Sequence, residues 1–482
     1  VSDEERGLLE AILETPDDDA PRLVYADWLQ GRGDPRGELI QLQCQLAAAP
    51  DDDRRRNIKI AENKLLEAHA AAWKKPMHAA LPREERPDLY GFGFVRGFIE
   101  YAKISMSCIP HLDSLFAAAP LIRTLCIVPG GPIGDLNSRV AAPKLDGALA
   151  SPYFARLHTL ELALPGGGNE LAYEVARAST LGNLRGLRLW CSIWGELAMY
   201  YDSSTPLVID DDGAVELARS PHLGALELLD LESNRLTAVG LQSLSTGPWK
   251  LRELNVGSNL IDLDSMPPKK RTGPHPILPA LAAPAFANLE ILSLSANSLA
   301  PRDIAAIVGG PHFAKLRELD LERCHLGVQG IAALCKAFAL PSLRRLRLER
   351  NSLCDAGATA IADCDKLANL TSLEAGHNLI GRKGGTAIAT SPHFTKLERL
   401  TLNEPRWKPE MKTTFAESPT LANAKIYLAG RLVGRAKPSK SKATAETAAV
   451  TPKPKKPAKS SAKPAETSKP RTTAKSRAKR TA

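Results

Sequence analysis

The chain is short of cysteine and has no long apolar run. Its eight cysteines, spread over 482 residues, include no C-x-x-C pair. That argues against a disulfide scaffold or a zinc cluster and for reduced thiols in a cytoplasmic protein. No stretch approaches the roughly 18 apolar residues of a membrane span. The acid-rich start, VSDEERGLLEAILETPDDD, lacks the basic and apolar segments of a secretory signal. Also missing are a P-loop, G-x-S-x-G, H-E-x-x-H and a dinucleotide-binding glycine run after a strand. Gly166–Gly168 reads as a turn between strand and helix rather than a phosphate cradle. No catalytic residue, cofactor or metal is expected, and no enzymatic activity.

What is present suits a soluble globular protein of two or three domains: 44% hydrophobic and 24% charged residues. The net charge of +9 is unevenly spread. Residues 435–482 hold 15 Lys and Arg against Glu446 and Glu466, a net of +13, which leaves the first 434 residues at −4. The body therefore gives no global reason to bind nucleic acid. The tail is built of Lys, Ala, Pro, Ser and Thr, and such a composition predicts disorder. Its cations (Lys453, Lys455, Lys456, Lys459, Arg477, Lys479 and Arg480 among them) suit weak, sequence-independent phosphate binding. It has no aromatic residue on which to stack a base, and a merely solubilising tail is the simpler account.

One pattern dominates the middle of the chain. LELLDLESNRL (from Leu226), LRELNVGSNLI (Leu251), LEILSLSANSL (Leu289), LRELDLERCHL (Leu316), LRRLRLERNSL (Leu343), LTSLEAGHNLI (Leu370) and LERLTLNEP (Leu397) repeat one template. The starts from 289 to 397 are 27 apart, and weaker copies begin at Ile122, Leu157 and Leu184. Leucines at the fourth and sixth positions point to one face of a short strand. The polar residue at the ninth position (Asn234, Asn259, Asn297, Cys324, Asn351, Asn378) is expected to form an internal ladder bonded to neighbouring loops. An apolar pair three apart (Leu241/Leu244, Ile304/Ile307, Ile331/Leu334, Ala358/Ile361, Gly385/Ile388) predicts a buried helical stripe. Glycines 213, 240, 330, 357 and 384 recur where a sharp turn into the helix is expected.

This is the leucine-rich-repeat pattern L-x-x-L-x-L-x-x-N/C-x-L, and over roughly residues 91–434 the unit resembles the ribonuclease-inhibitor-like class. The implied fold is an α/β solenoid, a horseshoe of about ten such strand–helix repeats. Residues 1–50 read as three short helices broken at Pro16–Asp19 and Gly31–Pro35, followed by a charged helical connector over 51–90. Pro16, Asp18, Arg22, Leu23, Tyr25, Ala26, Asp27, Trp28, Leu29, Gly33, Asp34, Glu38 and Gln43 resemble a bacterial repeat-companion domain. That family implies kinship with repeat arrays and no biochemical activity.

Strand alternation places the third, fifth and seventh positions of each copy on an exposed concave face. Candidate partner-binding residues there are Arg188, Trp190, Asp230, Glu232, Asp320, Glu322, Arg345, Arg347, Glu349 and Glu374. Trp190 is the anchor candidate, because exposed Trp is enriched at binding hot spots, whereas Trp194 falls in a buried leucine slot. Three spacings exceed 27, by 8, 15 and 11, before Leu157, Leu226 and Leu289. The helical stripe realigns at Leu145/Ala148, Ala214/Leu217 and Ile277/Ala280, so all three insertions leave the same edge. They form either a binding rim or an edge that tolerates length. His222, His312 and His393 share one repeat slot and read as structural. The expected function is a monomeric protein-interaction scaffold with a protein partner, and the alternative is nucleic-acid association through the tail.

Overall fold

The computed structural model describes residues 2–48, 53–81, 91–129, 145, 147–164, 166–190, 208–261, 280–404, 407, 409–428 and 431–433. The tail cations, Trp194, Ile277 and nearly all of the three insertions lie outside these residues. Flanking residues leave and return after Pro129, Trp190 and Ile261, each time between a strand and the element that follows it.

Alternating apolar residues make the strands. They are β1 (Gly91–Val95), β2 (Phe98–Ser105), β3 (Thr124–Val128), β4 (Thr159–Leu162), β5 (Gly186–Leu189), β6 (Leu228–Asp230) and β7 (Glu253–Asn255). Next come β8 (Ile291–Ser293), β9 (Glu318–Asp320), β10 (Arg345–Arg347), β11 (Ser372–Glu374), β12 (Arg399–Leu402), β13 (Lys425–Leu428) and β14 (Arg431–Leu432). All fourteen lie in one sheet in chain order. Neighbours from β2 to β13 are parallel, which demands a crossover after each strand, whereas β1 and β14 close the two ends antiparallel. Leu254, Leu292, Leu319, Leu346, Leu373 and Leu400 stand in register, and each is fully buried in the main core.

Helices cover the core side of the sheet, and the expected stripe is buried throughout, from Leu241 and Leu244 to Ile388. After β3 the pattern yields only a 3-10 turn, Ala148–Ala150. The recurrent glycines correct the expectation of a sharp turn. Gly240 and Gly384 lie inside the first turns of helices Ala238–Leu244 and Arg382–Thr390. Each helix packs so closely on the one before it that a Cβ on Gly384 would come within 2.8 Å of Ala358 Cβ, and one on Gly240 within 2.4 Å of Asp211 Oδ1. Close approach, not chain reversal, requires them.

The ninth-position ladder forms as expected. Asn259 Nδ2 donates to Leu231 O of the preceding copy (2.9 Å) and to Val256 O of its own (3.1 Å), while its Oδ1 accepts from Leu236 N (2.9 Å). Asn351 repeats this, donating to Leu321 O (2.7 Å) and Leu348 O (3.1 Å) and accepting from Cys324 N (2.8 Å). Cys324 fills its slot with a thiol directed at Leu294 O (3.2 Å). Glu404 ends the series by accepting from Asn378 N (2.6 Å). The residue before each ladder position, from Ser233 to His377, has a φ between 52° and 59°, the left-handed turn that swings the amide inward.

The N-terminal helices α1 (Asp3–Glu14), α2 (Asp19–Gln30) and α3 (Arg36–Ala48) are separated by the two expected breaks. A single helix, α4 (Asp53–Ala80), continues past Pro76, where Met77, buried in the main core, holds its last turn. This layer docks on the β1–β2 hairpin. Arg22, fully buried, pairs with Glu100 Oε1 (2.6 Å) and donates to Pro16 O (2.8 Å). Gln43 clamps the hairpin turn, accepting from Gly97 N (2.7 Å) and donating to Phe94 O (3.1 Å). Gly97 has φ +80°, and a Cβ there would strike Ile40 Cγ1 at 2.0 Å.

Asn351→Ala removes two donors' worth of buried carbonyl bonding and strands Cys324 N–H. At about 1–3 kcal/mol per stranded buried group, it is expected to lower stability by at least about 2 kcal/mol. A urea midpoint equal to that of the parent chain would refute the structural role of the ladder.

Candidate functional site

The face of the sheet turned away from the core carries the candidate residues. Register aligns the fifth positions into an unbroken row: Cys126, Glu161, Arg188, Asp230, Asn255, Ser293, Asp320, Arg347, Glu374, Thr401 and Tyr427. Such a row brings unlike charges directly opposite one another.

Exposure departs from expectation at two acids, with Asp230 only 3% exposed and Asp320 7%. The reason is local. Where the strand ends, the fifth side chain folds back to cap the N–H two residues on: Asp230 Oδ1 accepts from Glu232 N (3.0 Å) and Asp320 Oδ1 from Glu322 N (2.9 Å). Asn255 does the same for Gly257 N (3.0 Å). Burial pushes both aspartate carboxyls up, against the pull of those hydrogen bonds and of Arg188 or Arg347.

The expected acidic patch is also largely neutralised from within. Arg347 reaches Asp320 (2.8 Å), Glu322 (3.5 Å) and Glu374 (3.5 Å). Arg188 bridges Glu161 (3.6 Å) and Asp230 (3.4 Å), while Arg345 pairs with Glu318 on the neighbouring strand. Trp190 is half-buried rather than exposed, and its indole is a hydrogen-bond partner of Asp230. Of the six candidate acids, Glu232 and Glu349 stay outside the ion pairs. Glu232 accepts from Asn255 Nδ2 (3.0 Å), and Glu349 lies beside Glu322, Glu374 and Arg347.

Sequence reasoning passed over the β2–β4 end of this face. Cys126 and Val128 are buried there under the half-buried Tyr101 and Ala163, in a small apolar cluster separate from the main core. The signal was available: in TLCIV both alternations are apolar, the mark of a strand covered on both sides. Among the described residues no group of three His, Cys, Asp or Glu could hold a metal ion, and no helix is long and apolar enough to cross a membrane.

A family model described as Leucine Rich repeat matches residues 226–245 and 314–335. The architecture is leucine-rich-repeat-like. Both matched stretches begin in a strand motif and run into the helix that follows, the unit whose repetition builds the parallel sheet. No curated protein matches the chain.

Burial raises the Glu349 carboxyl, and Glu322 and Glu374 raise it further. Its folded-state pKa therefore lies above its unfolded value of about 4.3. Folding then binds protons in that window, so the ionised group costs stability as pH rises through it. Glu349→Gln is expected to stabilise the protein at pH 7 by about 0.5 kcal/mol, the scale of part-exposed charge interactions. The gain should vanish at pH 3.5. A loss of stability at pH 7 would mean that Glu349 is held by an attraction this arrangement does not contain.

Proposed function

We propose that the protein is a non-enzymatic scaffold that binds a protein partner on the open face of its sheet and along the edge from which the insertions leave. The observation that carries this reading is the in-register row of charged and polar side chains crossing the parallel strands. Around it, Arg347 is held by Asp320, Glu322 and Glu374 and Arg345 by Glu318, while Glu232 and Glu349 keep charge in reserve. Side chains already ordered by ion pairs lose little entropy on binding, and an alternating charge pattern selects a partner of complementary pattern. Trp190, at the seventh position of its copy, is the aromatic anchor of this surface. Asp230 and Asp320 contribute by shaping the strand ends rather than by touching the partner.

The finer family reading has support of the same kind. The spacing of 27 from Leu289 to Leu397 and the close-packed helix glycines favour ribonuclease-inhibitor-like repeats, in a solenoid of about ten units. The likeness of residues 16–43 to a bacterial repeat-companion domain is supported by what its motif residues do. Arg22, Tyr25 and Gln43 all engage the β1–β2 hairpin, so the motif is a docking motif for the first repeats. We read the protein as cytoplasmic and monomeric.

Capture of a partner from lysate on the immobilised full chain tests the main reading. Glu322→Lys combined with Glu349→Lys should weaken retention of the captured protein by at least about tenfold, while Lys383→Glu, on the helical side, should leave it unchanged. Equal retention by both variants would overturn the assignment of the face. The net charge of +13 on residues 435–482 favours a second reading, sequence-independent nucleic-acid binding. Deleting those residues should then abolish DNA binding, and the intact chain should bind with a steep salt dependence. An affinity unchanged by the deletion removes that reading.

A further inference from the structure

One repeat slot on the helical side pairs each copy with the copy before it. Ser391 Oγ donates to Ala362 O, 29 residues back, at 2.6 Å, and Ser418 Oγ does the same to Ala389 O, again 29 back. In the preceding copy the slot falls on Cys364, and the residue 29 back is Cys335. The register of the solenoid therefore sets the Cys364 side chain beside residue 335, a second cysteine. Both are free; Cys364 is buried and Cys335 half-buried. The Cys335 thiol donates to Ala360 O (3.6 Å), four residues before Cys364, and lies beside the Cys364 side chain. The backbone N–H groups of Lys366 and Leu367 lie close to the Cys364 side chain, and that of Leu367 donates to Cys364 O (3.2 Å).

We propose that Cys335 and Cys364 form an oxidation site, where hydrogen peroxide closes the two thiols into a disulfide joining successive repeats. A neighbouring thiol and two backbone N–H groups stand around the Cys364 sulfur, and each favours its thiolate, the reactive form. The neighbouring Cys335 thiol leads these effects and draws the Cys364 thiol below the ordinary cysteine range, while Cys364 and burial push the Cys335 thiol up. By contrast, burial pushes the ladder thiol Cys324 up to about 12 and that of Cys44 up to about 11.

The chemistry balances with one peroxide. The Cys364 thiolate attacks a peroxide oxygen, the O–O bond breaks, and hydroxide departs, taking up the proton that Cys364 had released. This leaves a sulfenic acid on Cys364. Cys335 sulfur then attacks Cys364 sulfur, the S–O bond breaks, and the second hydroxide leaves with the Cys335 proton as water. Two thiols and one peroxide become one disulfide and two waters, with each sulfur losing one electron. The bond would tie the helix carrying Cys335 (Gly327–Ala337) to the turn after the next one (Cys354–Ala362). These are the repeats whose strands, β9 and β10, hold Asp320 and Arg347.

The test uses the full chain treated with increasing peroxide and read by thiol titration, intact mass and peptide mapping. Two of the eight thiols should disappear first, with a mass loss of about 2 Da. A cross-linked peptide should join residues 335 and 364 and be released by dithiothreitol. Cys364→Ser restores the residue that the slot carries at 391 and 418, so it should fold; its peroxide consumption should fall by about tenfold. Cys335→Ala, the residue found at 362 and 389, should trap sulfenic acid on Cys364 as a dimedone adduct. Circular dichroism checks that both variants fold, and mapping of the unaltered chain decides the matter independently of them. First oxidation at the exposed Cys354, cross-links between chains, or a sulfinic acid on Cys364 beside an intact Cys335 thiol would each overturn the proposal.

Discussion

Every strand in this sheet must end, and its last carbonyls must find donors inside a protein that admits no water there. The asparagine ladder meets that constraint. In each copy that carries asparagine there, as at Asn259, one side-chain amide satisfies a carbonyl of its own turn, a carbonyl of the preceding turn and an N–H of the copy before it. A buried backbone group left unpaired costs about as much as a lost hydrogen bond, and each copy depends on its neighbour to avoid that cost, so the stacking of copies and the bonding of the ladder are coupled. The left-handed residue before each ladder position, the fixed strand register and the close helix approach all follow from it.

The open face obeys a related logic. A side chain on a parallel sheet has its counterpart from the next copy directly beside it, so a row of like charges would repel along its whole length. The chain avoids this by alternation, with Arg188 between Glu161 and Asp230 and Arg347 between Asp320 and Glu374. An apparent acidic patch in sequence becomes an ordered network of ion pairs in space, with Glu232 and Glu349 outside it.

Much of this was legible in the sequence because repetition amplifies a weak signal. Leucine spacing gave the strands and their facing, the ninth-position amides gave the ladder, and the apolar pairs gave the helical stripe. Position alone could not tell a capping carboxylate from a displayed one, so Asp230 and Asp320 were read as exposed. The difference lies in where the strand ends, one peptide unit that the template does not encode. The glycines misled for a similar reason: at Gly240 and Gly384 the demand comes from the neighbouring copy, which a local reading does not contain. The apolar cluster of Cys126 and Val128 shows the opposite failure. Its pattern was visible, but the assumption that one face is always open hid it.

The antiparallel strands at the two ends have a consequence for the stack. A parallel stack has no natural terminus, since each copy offers the next the same hydrogen-bonding template that it received. By reversing direction, β1 and β14 present an edge on which another copy of the repeat finds no parallel partner. At the first end the N-terminal helices add a further barrier, since Gln43 occupies the Phe94 carbonyl and Trp73 packs edge-on against the Phe94 ring. An antiparallel end strand does not hand on the parallel register by which each copy aligns the next, so the register of the stack is interrupted at both ends of the described sheet.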